Sequence, residues 1–246
     1  MSAATTSEIP DEILFKQPDG NHHGDCPICC LPLPSNPRQF NLMNCCGKHI
    51  CQGCSIANQK REIEGRLEAK CPFCRSAVCR TQEENIALTM KRIEVNDAGA
   101  MCQMGSISYE TGDKTAALEY WTKAATLGNI QAHYELSIMY RDGEGVDKDE
   151  KKELHHSEQA AIAGHPDARY ALGRMEWNIG RVDRAAKHWI IAAKLGHDIS
   201  LENVKNLYKS FIVTKEEFAA TLRGHHATIK ATESDQRKEA AAIYKR

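Results

Sequence analysis

The sequence predicts a small cysteine-rich domain followed by an all-α solenoid of stacked helical hairpins. Ten of the eleven cysteines lie between Cys26 and Cys79, so one short segment differs in chemistry from the rest of the chain. From about residue 97 the chain repeats itself with a period of 32–36 residues. The repeating part is rich in Ala, Leu and Lys, which favour helices, and periods of this length are typical of helix–turn–helix arrays.

Composition and charge narrow the class of protein. The 246 residues carry 32 basic and 33 acidic side chains, a net charge of −1. This balance predicts no nucleic-acid partner, because such a partner requires a basic surface that neutralises phosphates. We find neither the pattern of a secretory signal nor a run of about 20 apolar residues, so we expect no membrane span and a cytoplasmic or nuclear location. Cysteines in such compartments are more often metal ligands than disulfides.

The spacing of the cysteines indicates a metal site. Two cysteines separated by two residues place both sulfurs on one side of a tight turn, and this occurs three times beside one adjacent pair. The eight residues are Cys26, Cys29, Cys45, Cys46, Cys51, Cys54, Cys71 and Cys74. Eight thiolates suffice for two tetrahedral, structural Zn²⁺ ions. We favour zinc over a cysteine-rich core or a redox site, because so short a segment buries too little surface to fold alone, whereas structural zinc contributes about 10–16 kcal/mol.

This spacing resembles the RING finger, a zinc-stabilised mixed α/β domain whose ligands interleave as a cross-brace. The resemblance implies a RING-type domain over residues 25–76. It assigns one zinc to Cys26, Cys29, Cys51 and Cys54, and the other to Cys45, Cys46, Cys71 and Cys74. The position where the family usually has histidine is Lys48, which cannot ligate, so the sequence resembles an all-cysteine variant. His49 stays open as an alternative to Cys45, because Cys46-x2-His49 is also a workable knuckle.

The RING resemblance implies a ubiquitin ligase without a covalent intermediate, and therefore no covalent catalytic residue. Such proteins hold a loaded ubiquitin-conjugating enzyme in a reactive geometry. Carried over by position, the implied contacts with that enzyme are Ile28, Pro72, Phe73 and Arg75. The alternative is a non-catalytic zinc-binding adaptor, in which Ile28 and Phe73 pack the domain and Arg75 is a solvated charge.

The repeating part has a helical pattern with regular breaks. Ala132, Leu136 and Tyr140 share one helix face, and the turn at residues 142–145 follows. Each second helix ends with Ala-Ala and then Gly, a common helix stop. The strings A-x3-L-[GS]-x3-Y, D-G-E-G-V and W-x2-[KI]-A-A-x2-G resemble the Sel-1-like repeat, a relative of the tetratricopeptide repeat. The resemblance covers residues 97–230 and implies that protein substrates or adaptors bind the solenoid.

The remaining segments receive simpler predictions. Residues 1–24 are predicted to be a flexible tail, and residues 77–96 a linker helix that opens with a capping box between Thr81 and Glu84. We expect a final helix pair near residues 200–230 as a cap, and an exposed, fraying charged segment over residues 231–246. We expect the histidine pairs at 22–23, 155–156 and 225–226 to be solvated. Core positions between helices are expected for Trp121, Trp177 and Trp189. The three cysteines outside the proposed ligand set, Cys30, Cys79 and Cys102, are expected to be packed thiols.

Overall fold

The computed structural model describes residues 9–79 and 81–244. The N-terminal part contains a short helix α1 (Asp11–Leu14), a 3-10 turn (Pro37–Gln39), strands β1 (Phe40–Met43) and β2 (Lys48–Cys51), and helix α2 (Gln52–Glu64). The helices that follow are α3 (Gln82–Glu94), α4 (Ala98–Glu110), α5 (Lys114–Thr126), α6 (Ile130–Asp142), α7 (Glu150–Ile162), α8 (Pro166–Asn178), α9 (Val182–Lys194), α10 (Asp198–Lys209), α11 (Lys215–Ala231) and α12 (Asp235–Tyr244).

The cysteine-rich part is built on a two-stranded antiparallel sheet. Phe40 pairs with Cys51 at one end of the hairpin and Met43 pairs with Lys48 at the other. Leu33, Phe40 and Ile50 form its buried apolar core together with three of the cysteines. This core is small, which agrees with a domain that needs bonds to metal to hold its loops.

The predicted all-α solenoid is confirmed. Helices α4 to α11 form four consecutive antiparallel pairs, and each pair packs on the next. The first helix of every pair begins at a capping residue whose side chain accepts a hydrogen bond from the backbone N–H three positions later. These caps are Asp97, Asn129, His165 and His197. The last pair, α10 and α11, lies where the cap was expected.

Two of the pairs are held by an indole lying against a glycine. A Cβ built on Gly105 would come within 2.5 Å of the Trp121 ring, and one on Gly173 within 2.4 Å of the Trp189 ring. Each indole also donates a hydrogen bond to a carbonyl of the facing helix, at 3.1 Å and 3.3 Å respectively. In the middle pair both corresponding positions are small, buried serines, Ser137 and Ser157. The helices of these three pairs therefore approach closely, by two different packing solutions.

The expectation that all three tryptophans are core residues is wrong for one of them. Trp121 and Trp189 are buried, but Trp177 is 44% exposed. Its ring lies 5.7 Å from Trp189 at a tilt of 38°, as the Tyr109 ring lies 5.5 Å from Trp121 at the same tilt. Trp177 thus covers the edge of a core indole.

The N-terminal segment differs from the flexible tail predicted over residues 1–24. Residues 1–8 lie outside the described part of the chain. From Ile9 onward the segment packs on the repeats, and Leu14 is only 1% exposed. The His22 backbone N–H donates to the Gly164 carbonyl at 3.3 Å. The segment also lies close to Gly164 itself, because a Cβ built on this glycine would come within 2.5 Å of the Gly20 carbonyl oxygen. The sequence did not predict these contacts, because the segment has little hydrophobic periodicity of its own and packs on a surface formed by distant residues of the solenoid.

The C-terminal segment also differs from its prediction, because α12 returns to the cysteine-rich domain and packs on α2. Ala240 is fully buried, and Lys60 of α2 forms an ion pair with Glu239. The close approach requires a glycine, since a Cβ on Gly53 would lie 2.8 Å from the Arg237 backbone nitrogen. Two of the charges that predicted an exposed helix, Arg237 and Glu239, instead contact the cysteine-rich domain.

The paired histidines are not simply solvated. His22 and His165 stack with ring centroids 4.1 Å apart, and both lie within hydrogen-bond distance of Gln131. His225 is buried and pairs with Asp198 at 3.0 Å. Burial lowers the pKa of His22 to about 4, so its ring is neutral in the fold. Only His155 and His226 are exposed as expected.

Linker helix α3 begins later than predicted, and Arg80 lies outside the described residues. Thr81 caps α3, with its hydroxyl accepting from the Glu84 N–H at 3.2 Å. Ile93 packs against the core of the first repeat pair. Helix α3 therefore contacts the solenoid through Ile93 and the cysteine-rich domain through Asn85, whose side-chain oxygen accepts from the Asn44 amide at 2.6 Å.

Candidate metal centres

Two of the Cys-x2-Cys turns share one backbone geometry. The carbonyls of Cys26 and Cys71 accept hydrogen bonds from the N–H groups of Cys30 and Arg75, at 2.8 Å and 3.0 Å. Both residues that follow the second cysteine have positive φ angles, 55° and 63°. Each turn is closed by an isolated antiparallel bridge, Asp25–Pro32 in the first and Lys70–Ala77 in the second. The turn directs both sulfurs to one side.

The hairpin and helix α2 supply the other four sulfurs. Cys45 and Cys46 lie in the turn between β1 and β2, where Gly47 has a φ of 68° that favours glycine. Cys51 ends β2 and caps α2, with its sulfur accepting from the Cys54 N–H at 3.4 Å. Strand β2 therefore lies between two pairs of cysteines, with Cys45 and Cys46 in the turn before it, Cys51 at its end and Cys54 just beyond it in α2.

The structure brings the eight cysteines together in two groups of four. Within each group the sulfurs all lie within 4.8 Å of one another. The first tetrad is Cys26, Cys29, Cys51 and Cys54, and the second tetrad is Cys45, Cys46, Cys71 and Cys74. No described cysteine is in a disulfide. Both tetrads could hold a metal ion, and the two groups alternate along the chain.

The sulfur geometry fits a tetrahedral ion. Zn–S bonds of about 2.3 Å at tetrahedral angles put sulfurs about 3.8 Å apart. The Cys29 and Cys51 sulfurs are separated by 3.9 Å, as are those of Cys46 and Cys71. The Cys45 and Cys74 sulfurs are closer, at 3.3 Å.

Without a cation the thiols of each tetrad cannot all ionise. Burial opposes ionisation of Cys74, but hydrogen bonds from Ser76 outweigh it and lower the pKa of Cys74 to about 6. In the same tetrad, burial and the neighbouring sulfurs raise the pKa of Cys45. Burial likewise raises the pKa of Cys54, while backbone hydrogen bonds bring the pKa of Cys26 to about 7. A divalent ion would ease this conflict, because it offsets two of the four negative charges and a thiol that coordinates it is deprotonated.

The other candidate ligands lie outside both tetrads. His49 belongs to neither group, and its ring lies 5.1 Å from Phe40 and 5.7 Å from His23. Of the three surplus cysteines, Cys102 is a packed thiol as expected, whereas Cys30 is exposed and Cys79 is half-buried. Cys30 follows Cys29 in the first turn but belongs to neither tetrad.

A residue that the sequence did not single out completes the first centre. The Arg237 guanidinium donates to the Cys29 sulfur at 3.4 Å, and to the Leu31 and Pro32 carbonyls at 3.2 Å and 2.7 Å. Arg237 therefore joins α12 to the loop after the first Cys-x2-Cys turn. No local pattern near residue 237 signals this contact; only the alanines of the segment indicate a helix able to pack closely.

The predicted enzyme-contact residues lie on the surface of the domain. Ile28 and Phe73 are 42% and 44% exposed, so neither serves mainly to pack the core. Pro72 is half-buried beside Phe73. Arg75 is exposed, and its guanidinium donates to the Asn58 side-chain oxygen at 3.3 Å.

The fold and the comparisons define a helical-repeat protein with a cysteine-rich domain. The family model of the Sel1 repeat matches residues 98–129, 130–165 and 166–197, which are the pairs α4–α5, α6–α7 and α8–α9. The chain thus carries three Sel1 repeats, as the resemblance implied. Of the helices in the described residues, none is both long enough and apolar enough to cross a membrane.

A curated protein and two solved structures are similar to part of this chain. Chitin synthase regulatory factor 4 of Schizosaccharomyces pombe is 28% identical over 114 residues, which is 44% of this chain and 18% of that protein. A Sel1 repeat protein from Oxalobacter formigenes has a TM-score of 0.52 at 25% identity, covering 63% of this chain and 66% of that one. A protective antigen of uropathogenic Escherichia coli with an SLR fold has a TM-score of 0.48 at 24% identity, and the match covers 68% of this chain and 36% of that one. The chain therefore spans less than two thirds of these relatives.

Proposed function

We propose that this protein is a zinc-stabilised scaffold for protein–protein interaction. Two structural Zn²⁺ ions hold the N-terminal domain through the two tetrads, and the Sel1 repeats bind protein partners. The observation that carries the proposal is the convergence of eight thiols into two groups on a domain packed against three Sel1 repeats. A relative described as a regulatory factor fits a protein that acts through others rather than by its own catalysis.

The contacts between the two parts support a scaffold with fixed geometry. The Ser35 hydroxyl donates to the Leu195 carbonyl at 2.5 Å, and the Gln103 side-chain amide donates to Asn44 at 2.7 Å. Arg92 of α3 donates to the Asn44 carbonyl at 3.3 Å. These contacts come from loops beside the tetrads, so loss of metal would loosen the attachment of the domain to the repeats.

Metal analysis combined with partner capture tests the scaffold proposal. We expect about two zinc atoms per chain. The intact 246-residue chain should capture a reproducible set of proteins. It should not transfer ubiquitin in a reconstituted assay. Capture should weaken after zinc is removed with a strong chelator, because the domain and the repeats then lose their fixed arrangement. Metal-free protein with unchanged structure would contradict the zinc part of the proposal.

A RING-type ubiquitin ligase is the second candidate function. It is supported by the exposure of Ile28 and Phe73 beside the two Cys-x2-Cys turns, where a conjugating enzyme would dock in a cross-braced RING. Arg75 would then donate to that enzyme and to ubiquitin, for which its planar group is suited. The Sel1 matches favour the scaffold, since a scaffold uses the repeats and does not require the ligase contacts.

Ubiquitin-chain assembly separates the two candidates. A panel of ubiquitin-conjugating enzymes is tested with the intact chain, with Ile28→Ala and Arg75→Ala, and with Arg66→Ala as a control for an exposed arginine in the same domain. A ligase forms chains, retains activity in Arg66→Ala and loses it in the other two variants. Absence of chains with every conjugating enzyme supports the scaffold alone.

A further inference from the structure

The segment Ile9–Phe15, here called the arm, fills a groove between α7, α8 and α9. These helices belong to the second and third Sel1 repeats. The Leu14 side chain is the centre of the contact and is almost completely buried. It packs among Ala160, Ala161, Ala168 and Leu172. The small alanines create the space that this leucine occupies.

A buried arginine at the base of the groove requires an acceptor from the arm. Arg169 is fully buried and donates to two main-chain carbonyls, that of Leu14 in the arm and that of Ala161 at 2.9 Å. Its Nε is buried without a hydrogen-bond partner, and no carboxylate among the described residues forms an ion pair with it. Without an occupant, Arg169 would lose one of its two acceptors, which is costly for a buried cation.

The upper part of the groove selects an aromatic and an acidic residue. The Phe15 ring lies 4.7 Å from the His188 ring, with the cationic groups of Arg184 and Lys187 at 4.9 Å and 5.1 Å from its centroid. Arg184 also pairs with Asp11 of the arm. Arg184 also donates to the Glu176 carboxylate at 2.8 Å, so it joins a carboxylate of the repeats to the acidic residue of the arm. An aromatic residue flanked by the two cations, and an acidic residue that accepts from Arg184, are therefore the features that the groove selects.

The arm is suited to exchange. Helix α1 has four residues, too few to be stable alone, so its shape depends on the groove. The arm supplies no residue to the repeat helices or to either tetrad. Its departure would break no hydrogen bond within a repeat helix and would remove no ligand from either tetrad.

We propose that this groove is a peptide-binding site of the Sel1 repeats and that the arm occupies it in cis. The partner is a protein segment forming one helical turn, with an acidic residue three positions before a leucine that is followed by an aromatic residue. Its leucine replaces Leu14, its carbonyl accepts from Arg169, and its acidic residue pairs with Arg184. The inference rests on the proposed scaffold function and specifies one binding surface of it.

A labelled peptide with the sequence of residues 9–17 tests the site by fluorescence anisotropy. The titration uses the intact chain and a variant that begins at residue 17, with a Leu14→Ala peptide as the control. A cis segment on a short linker competes at an effective concentration of about millimolar, so we expect at least about tenfold tighter binding to the shortened variant. The control peptide should bind neither protein.

A second variant keeps the test decisive if the shortened chain does not fold. Leu14→Lys in the intact chain places a second cation beside Arg169 and so displaces the arm while keeping every other residue, and it should bind the wild-type peptide as the shortened chain does. Circular dichroism and thermal melting establish that the repeats are folded in the variants used.

Three results would overturn the inference: no peptide binding to a folded variant with an open groove, equal binding of both peptides, or dimerisation of the open variant without peptide binding. The last would assign the groove to a second copy of the chain. None of these results affects the zinc content or the capture of partners by other surfaces, so failure of this inference and failure of the scaffold proposal are distinguishable.

Discussion

The Arg237 guanidinium lies 3.4 Å from the Cys29 sulfur, although 208 residues separate them in the chain. This contact places a positive charge beside the first tetrad and connects it to helix α12. In the second tetrad the Cys74 thiol instead donates to the Ser76 hydroxyl at 3.4 Å, and the other described contacts join cysteine sulfurs to one another. The two centres therefore differ in their surroundings although both consist of four sulfurs.

Arg237→Ala should release zinc from the first tetrad faster. Removing a hydrogen bond to a ligand typically costs 10- to 100-fold in metal affinity, so we expect a change of about tenfold or more. The rate of zinc release is measured by chelator competition with a coloured zinc indicator. Release from the second tetrad of the same protein provides an internal reference. Lys238→Ala, on the exposed side of the same helix, should leave the rate of zinc release from both tetrads unchanged. Equal release rates in Arg237→Ala and the wild type would refute a role for this contact.

Substitution of single ligands should change zinc content in steps. Cys54→Ser and Cys74→Ser each remove one ligand of a different tetrad, and each should lower the zinc content from about two ions to about one. Cys30→Ser should keep both ions, because Cys30 is exposed beside the first tetrad and belongs to neither group. Elemental analysis of purified variants checks this, and an unchanged zinc content in either ligand variant would contradict the assignment.

The choice between Cys45 and His49 can be tested directly. The structure groups Cys45 with Cys46, Cys71 and Cys74, while His49 packs against Phe40. We therefore expect Cys45→Ser to lose one zinc ion and His49→Ala to retain both. Cobalt substitution gives a second readout, because the visible absorption of a Co²⁺ site depends on how many sulfurs bind it. The opposite pattern would make His49 the eighth ligand.

Gly173→Ala should destabilise the third repeat. The added methyl group would lie 2.4 Å from the Trp189 ring, and the helices would have to separate. Such overpacking costs about 1–3 kcal/mol, which outweighs the gain of up to about 1 kcal/mol from replacing a helical glycine. Urea denaturation measures the loss. Gly20→Ala, where no heavy atom lies within 4 Å of the added methyl group, is the matched control and should have little effect.

Protonation of buried histidines should reduce stability in mild acid. Burial, with the nearby His22, His23 and His197 rings, lowers the pKa of His165 well below its usual 6.5. The folded state keeps this ring neutral, whereas the unfolded chain binds a proton below about pH 6.5. The contribution of the neutral His165 ring to the free energy of unfolding is thus complete above about pH 6.5. It is lost as the pH falls, with a slope of at most about 1.4 kcal/mol per pH unit.

The variant His165→Asn isolates this effect. Asn129 caps α6 as His165 caps α8, so asparagine should preserve the helix cap while removing the titrating ring. We expect its free energy of unfolding to fall less steeply between about pH 6.5 and 5 than that of the wild type. His226→Asn, at an exposed position, should match the wild type. Identical slopes in all three proteins would contradict the prediction.

The Sel1 repeats and the cysteine groups were predictable because their signals are local or periodic. Glycine and tryptophan recur at a fixed separation, and each indole of Gly105–Trp121 and Gly173–Trp189 packs within its own helix pair. The Cys-x2-Cys turns are likewise formed by neighbouring residues. How the tetrads divide the eight cysteines was implied only by the RING resemblance, and the structure brings together the same two sets.

The two ends of the chain were predicted poorly for one physical reason. Leu14 is buried by alanines about 150 residues away, and Ala240 is buried against α2 at the opposite end of the sequence. A four-residue helix and a charged, alanine-rich segment have little hydrophobic periodicity of their own. Their positions depend on surfaces that exist only after the repeats and the cysteine-rich domain have formed.

The helix pairs, the turns between them and the eight sulfurs available for metal are encoded locally, because they follow from spacing along the backbone. The folded molecule was needed to find that Arg237 lies beside Cys29, that the Leu14 carbonyl accepts from Arg169, and that Ile28 and Phe73 are exposed. Such contacts join residues with no relation in sequence. They are fixed by the shapes and charges of surfaces that meet only when the chain is folded.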